Sequence, residues 1–120
     1  MKILIVDDSA FARQFIKKVI MENCPGVECV FAASGEEGYE VFLAEKPDFV
    51  VTDLLMPGIG GQAMIRQIRQ KDPQSRIIVV SSDVQRAIRA EVSDLGVLRF
   101  INKPISDENR AEFISLLQGA

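Results

Sequence analysis

Ile3-Leu4-Ile5-Val6-Asp7-Asp8-Ser9 opens with four consecutive apolar residues that run straight into two acids. A run that is apolar at every position, rather than at alternate ones, describes a strand covered on both faces, as in parallel sheets. The same plan recurs at residues 28–31, 49–52, 77–80 and 98–101, which are rich in Val, Ile and Phe and bounded by Asp, Gly and Pro. Between these runs the apolar spacing becomes helical. Phe11, Phe15 and Val19 with Ile16 and Ile20 form one stripe, Tyr39, Phe42 and Leu43 a second, and Met64, Ile65 and Ile68 a third. Val84, Ile88, Val92 and Leu95, then Phe113, Ile114 and Leu117, complete five. Ser34-Gly35-Glu36-Glu37 is a capping box for the second helix, Pro25-Gly26 closes the loop after the first, and Gly96 stops the fourth. Five alternating units predict an α/β three-layer sandwich, with a five-stranded parallel sheet between five helices. No linker or repeat interrupts the pattern, so residues 1–120 are expected to form one domain.

The composition narrows the function. The 14 basic and 17 acidic residues leave a net charge of −3, which argues against nucleic acid as the main partner. No apolar run approaches the roughly 20 residues that span a bilayer. Lys2 leads directly into the first strand with no signal peptide, so a cytoplasmic chain is expected. There is no histidine, which removes Ser-His-Asp catalysis, histidine-ligated metals and a phosphohistidine-donor role. The two cysteines, Cys24 and Cys29, are too few for a structural zinc site. They are expected to remain free, Cys29 as a small core residue and Cys24 near a helix end.

The polar residues at the carboxyl ends of the strands are more informative. Strand one ends in Asp7-Asp8, strand three in Asp53, strand four in Ser81-Ser82-Asp83, and strand five in Asn102-Lys103-Pro104. Ligands of open α/β sheets bind outside those ends, where the strand order reverses. In the flavodoxin-like order 2-1-3-4-5, strands one and three are neighbours, which crowds Asp7, Asp8 and Asp53 into one pocket. Their mutual repulsion calls for protonation or a cation. Lys103 is one candidate, and a hard divalent ion with oxygen ligands, for which Mg²⁺ is suited, is the other. Helix capping by Asp8 or Ser9 would account for one acid per loop, but not for Asp7 beside Asp8 with a lysine at the same sheet end.

With these residues in place, the chain resembles the response-regulator receiver domains of bacterial two-component signalling, close to the stand-alone chemotaxis type. The resemblance spans nearly the whole chain. It rests on Val6-Asp7-Asp8-Ser9, Asp53-Leu54-Leu55-Met56-Pro57 with Gly61, Val80-Ser81-Ser82, and Gly96 followed by Phe100-Ile101-Asn102-Lys103-Pro104. It implies that Asp53 accepts a phosphoryl group as an acyl phosphate, with catalysis by positioning and charge neutralisation. By the same resemblance Mg²⁺ is held by Asp8 directly, by Asp7 mainly through water, by Asp53 and by the backbone carbonyl of Leu55. Lys103 binds the phosphoryl oxygens, and the Lys103-Pro104 bond is cis. Ser81 is the switch hydroxyl and Phe100 the switch aromatic. The implied partners are a histidine kinase or histidine phosphotransfer protein upstream and an effector protein downstream. The effector reads the face of the fourth helix, fifth strand and fifth helix, and the chain is a monomer or a weak, phosphorylation-linked dimer. It is not an enzyme beyond self-directed phosphotransfer and autodephosphorylation.

Two positions depart from the family pattern. Leu55 stands where a polar residue is common, and with Asp83 at the same mouth it is expected to lengthen the phosphorylated lifetime by hindering water. Gly60 stands where an acid often caps the third helix, so that helix start is expected to be looser. Three rival readings fit the residues less well. A phosphorylation-independent interaction module on the same fold would typically lack an acid, the switch hydroxyl or the lysine, and all are present. A haloacid-dehalogenase-like phosphatase needs Asp-x-Asp on strand one, which Asp7-Asp8-Ser9 does not supply. A flavodoxin-like FMN carrier needs a phosphate loop after strand one, where these acids repel phosphate, and Gly58-Ile59-Gly60-Gly61 lacks nucleotide-loop spacing. Arg86, Arg89 and Arg99 either greet an acidic partner segment or form a solvated face with Glu91 and Asp94.

Overall fold

A computed structural model describes residues 1–82 and 85–119. The elements alternate as β1 (Lys2–Val6), α1 (Ala10–Asn23), β2 (Glu28–Ala32), α2 (Gly35–Glu45), β3 (Phe49–Thr52), α3 (Gly60–Lys71), β4 (Arg76–Ser81), α4 (Arg86–Asp94), β5 (Arg99–Asn102) and α5 (Asp107–Gln118). All neighbouring strands pair in parallel, in the order β2-β1-β3-β4-β5. This is the expected α/β sandwich, and no strand end differs from the sequence reading by more than one residue. β5 begins at Arg99 rather than Leu98, whose side chain is exposed. Val84 and Asp83 lie outside the described residues.

Because successive strand side chains point to opposite faces, β1 alone feeds two cores. Ile3 and Ile5 join Val51, Ile78, Val80 and Ile101 under α1 and α5, where Ile16, Ile20, Phe113 and Leu117 meet them. Leu4 and Val6 join Val50, Ile77 and Val79 under α2, α3 and α4, against Phe42, Met64, Ile65, Ile68 and Val92. Each such aliphatic side chain taken fully out of water contributes roughly 1.5–3 kcal/mol. Consecutive apolar residues in the sequence are therefore the signature of a sheet with helices on both sides.

Two stripe residues are corrected. Phe11 is 82% exposed and stacks on half-buried Phe15, ring centroids 6.5 Å apart. It lies in the first turn of α1, at the carboxyl edge of the sheet, where no strand continues beneath it. Leu43 is also exposed, on the flank of α2 away from buried Phe42. Both cysteines are free, Cys24 buried at the end of α1 and Cys29 packed against the core.

The helix starts are set locally. The Ser9 hydroxyl accepts from the Ala12 amide at 3.2 Å, and that of Ser34 accepts from the Glu37 amide at 3.1 Å. Glu37 returns its carboxylate to the Ala33 amide at 2.6 Å, one residue earlier than a strict capping box. α5 carries a box of its own, built from Ser106 and Asn109. α3 starts with no side-chain cap from Ile59.

Candidate functional site

The register of β1 and β3 aligns Val6 with Thr52, so Asp7 and Asp53 leave adjacent strand ends side by side. Two hydrogen bonds continue the sheet one residue further, from the Asp53 amide to the Val6 carbonyl (2.9 Å) and from the Asp7 amide to the Ala32 carbonyl (3.1 Å). Both carboxylates are therefore fixed by backbone. Asp7 and Asp53 are buried while Asp8 is exposed, and one carboxylate oxygen from each lies within 4.8 Å of the others. The pocket foreseen from the strand ends is thus formed.

Each oxygen of Asp53 has its own partners. Oδ1 accepts from the Ser81 hydroxyl at 2.6 Å and from the amides of Leu54 and Leu55 at 2.7 and 3.2 Å. Oδ2 accepts from the Lys103 ammonium at 2.8 Å, and that ammonium also donates to Asp7 Oδ2 at 2.6 Å. The second Asp7 oxygen accepts from the Ser9 amide at 2.9 Å. Burial disfavours the Lys103 ammonium and is the largest single influence on it. The hydrogen bonds and charges of Asp53 and Asp7 together outweigh it, so its pKa stands above the ordinary 10.5. Lys103 is therefore charged throughout the neutral range. Its amide donates to the Ser81 carbonyl at 3.1 Å, and the Lys103-Pro104 peptide is cis, as expected.

The remaining candidates surround this centre. Leu55 exposes its side chain, 54% accessible, while its amide turns inward to Asp53. Phe100, half-buried among the α2–α4 side of the core, carries the Arg89 guanidinium 4.3 Å above its ring. Asp83 lies outside the described residues. Sequence reasoning missed Thr52, whose buried hydroxyl donates to the Asp53 carbonyl at 2.7 Å, and Arg13, which donates to the Asp7 carbonyl at 2.7 Å. A threonine closing an apolar strand was the one available signal for Thr52, and nothing in the sequence marked Arg13. Gly61, part of the Asp53 motif in the sequence, has a steric role of its own. A Cβ there would stand 2.3 Å from the Asp53 carbonyl oxygen and 2.8 Å from Leu54 Cα, so only glycine lets α3 begin against the acid's own backbone.

Three clustered carboxylates with hard oxygen donors fit Mg²⁺, and one exposed member leaves a side open to water. Among the described residues no helix is long and apolar enough to cross a membrane.

The chain is 36% identical over 115 residues to the chemotaxis protein CheY of Bacillus subtilis, covering 95% of this chain and 94% of that one. It spans only 31% of a protein-glutamate methylesterase/protein-glutamine glutaminase of Geobacter sulfurreducens, at 35% identity. The response regulator domain of Thermotoga maritima CheB superposes with a TM-score of 0.86 at 34% identity, covering 100% of this chain and 95% of that one. CheY in a CheX-CheY-BeF3-Mg²⁺ complex from Borrelia burgdorferi gives 0.87 at 25% identity, covering 99% and 87%. A family model, the response regulator receiver domain, matches residues 3–115. With CheY-like relatives matched from end to end, the chain belongs to the response regulator receiver domains of two-component signalling.

Proposed function

We propose that this chain is a phosphoacceptor switch, in which Asp53 receives a phosphoryl group from a histidine kinase or histidine phosphotransfer protein. The observation that carries this reading is the environment of Asp53. It is a buried carboxylate with one oxygen held by Ser81 and two backbone amides and the other facing Lys103, beside two further acids. A carboxylate ionised at neutral pH needs no general base. One Asp53 oxygen forms a bond to phosphorus while the bond from phosphorus to the donor's imidazole nitrogen breaks. The electron pair leaves with that nitrogen. Hydrolysis of the resulting acyl phosphate by water returns the carboxylate and inorganic phosphate.

Asp7, Asp8, Asp53 and the Leu55 carbonyl are the proposed ligands of Mg²⁺, which when bound offsets negative charge on the acids and the phosphoryl oxygens. Lys103 transfers its ammonium from the carboxylates to those oxygens. Ser81 moves from its hydrogen bond on Asp53 Oδ1 to donate to the phosphoryl group. Phe100, one strand over, packs inward behind it, and the altered face of α4, β5 and α5 is read by a downstream effector protein. CheY-like receiver domains are non-catalytic signalling modules, and we read this one as a cytoplasmic monomer or weak phosphorylation-linked dimer.

The test is intact mass after incubation with acetyl phosphate, with and without Mg²⁺, on wild type and Asp53→Asn. One Mg²⁺-dependent phosphoryl group, lost in the variant, is expected. An unmodified wild type that also forms no stable beryllofluoride complex would overturn this reading in favour of a phosphorylation-independent interaction module.

A further inference from the structure

α3 follows directly from the phosphoacceptor loop, yet it has no acid in its first turn and no side-chain cap from Ile59. Helix N-termini leave amides without partners and concentrate positive dipole charge there. The missing acid is supplied by another helix. Glu36, in the first turn of α2, accepts from the Ile59 amide at 3.3 Å through Oε1. The neighbouring backbone is shaped to admit it. A Cβ at Gly58, which has φ +82°, would stand 2.7 and 2.8 Å from the two Glu36 carboxylate oxygens. A Cβ at Gly35 would stand 2.7 Å from the Gly60 carbonyl oxygen and 2.8 Å from Ile59 Cγ1, so the first turn of α2 lies directly on residues 59–60.

These contacts reach the chemistry in two short steps. Gly61 donates its amide to the Leu54 carbonyl at 3.2 Å and lies against the Asp53 carbonyl, too close for any side chain. Leu54 and Leu55 in turn donate their amides to Asp53 Oδ1. A shift at Ile59 therefore displaces the loop between Asp53 and α3. The two adjacent glutamates divide the work, since Glu37 closes back on Ala33 and Glu36 reaches across to α3.

We propose that Glu36 is a positioning residue for the phosphoacceptor loop, capping α3 from α2 and so holding the Leu55 backbone in place to help bind Mg²⁺. The proposal rests on the phosphoacceptor reading above. It is tested on the full chain with Glu36→Ala, Glu36→Gln, which keeps an acceptor oxygen, and Glu40→Ala, which removes the same charge from the same helix. Without Mg²⁺ or donor, Glu36→Ala is expected to speed hydrogen exchange at the Ile59 amide roughly fivefold, with Glu36→Gln within about twofold of wild type. Calorimetric titration with MgCl2 is expected to show the Kd raised roughly three- to tenfold in Glu36→Ala and largely restored in Glu36→Gln. Labelling by acetyl phosphate should slow at low Mg²⁺ and recover at saturating Mg²⁺.

Unchanged Ile59 exchange in Glu36→Ala would overturn the proposal. So would faster exchange with an unchanged Kd, which describes a cap of structural value alone. An equal loss of Mg²⁺ affinity in Glu40→Ala or Glu36→Gln would overturn it in favour of a general charge effect. A wild type that binds Mg²⁺ but takes no phosphoryl group and forms no stable beryllofluoride complex would sink the phosphoacceptor reading by itself, and the exchange and calorimetric results would still decide Glu36.

Discussion

Lys103 sits between Asp7 and Asp53, 2.6 and 2.8 Å from their oxygens, where a cation is already in place before any metal binds. Replacing it by methionine is expected to bind Mg²⁺ several-fold more tightly, because a competing charge is gone. Labelling by acetyl phosphate should fall at least tenfold, because phosphoryl oxygens lose their ammonium; calorimetry and intact mass read the two effects. The pH dependence follows from the raised pKa of this lysine. A cation favoured by the folded state contributes its full stability below 10.5 and loses it as pH climbs through the higher folded value. In chelator, the difference in melting temperature between wild type and Lys103→Met should stay level from neutral pH and shrink only above that point. Ser81→Ala removes a buried hydroxyl from Asp53 Oδ1 and should cost about 1–2 kcal/mol by denaturant unfolding. The exposed Leu55 side chain flanks the acid, so Leu55→Asn should shorten the phosphorylated lifetime by giving water a polar foothold, and an unchanged decay rate would refute that.

At the scale of elements, the helices are tied to one another as well as to the sheet. Arg69, near the end of α3, donates Nε to the Leu95 carbonyl at 2.6 Å and Nη2 to the Gly96 carbonyl at 2.9 Å. Its Nη1 donates to the Ser75 carbonyl at 2.6 Å and to that of Asp72 at 3.5 Å. Burial pushes the Arg69 pKa down, against the pull of Asp72. One guanidinium thus gathers the carboxyl end of α3, the start of β4 and the carboxyl end of α4, with an Arg66–Glu91 ion pair alongside. Charged hydrogen bonds of this kind are worth about 1.5–3 kcal/mol, so Arg69→Met should lower stability by about that much. Hydrogen exchange should rise first at Gly96 and Val97, the residues that follow α4. On the other flank Arg99 pairs with Glu112 at 3.0 Å and Arg89 covers Phe100, so among the described residues two of the three arginines read from the sequence have partners.

For the molecule as a whole, three carboxylates and one lysine gather at a single sheet end, so divalent ions are expected to change its stability. A ligand that binds only the folded state stabilises it by mass action, about 2.7 kcal/mol at a hundredfold excess over Kd. The melting temperature should rise with millimolar Mg²⁺, return with chelator, and respond far less in Asp8→Asn, which spares the buried acids and their partners.

Consecutive apolar runs ending in Asp7, Asp53, Ser81 and Lys103 determined the α/β class, the element order and the side of the sheet where chemistry gathers. Strand burial and charge spacing are local properties, and a parallel sheet aligns its strand ends without further instruction. The family pattern was legible for the same reason, since its motifs fall one per strand end. What only the tertiary structure decided involves residues far apart in the chain. Lys103 meets Asp7 across 96 positions and Asp53 across 50, and the oxygen each receives depends on the register of four strands. Glu36 reaches Ile59 across 23 positions and Arg69 reaches Gly96 across 27, through side chains with no local pattern. Phe11 reads as core by periodicity but lies past the edge of the sheet, because periodicity tells which face a residue takes and not whether a strand lies beneath it.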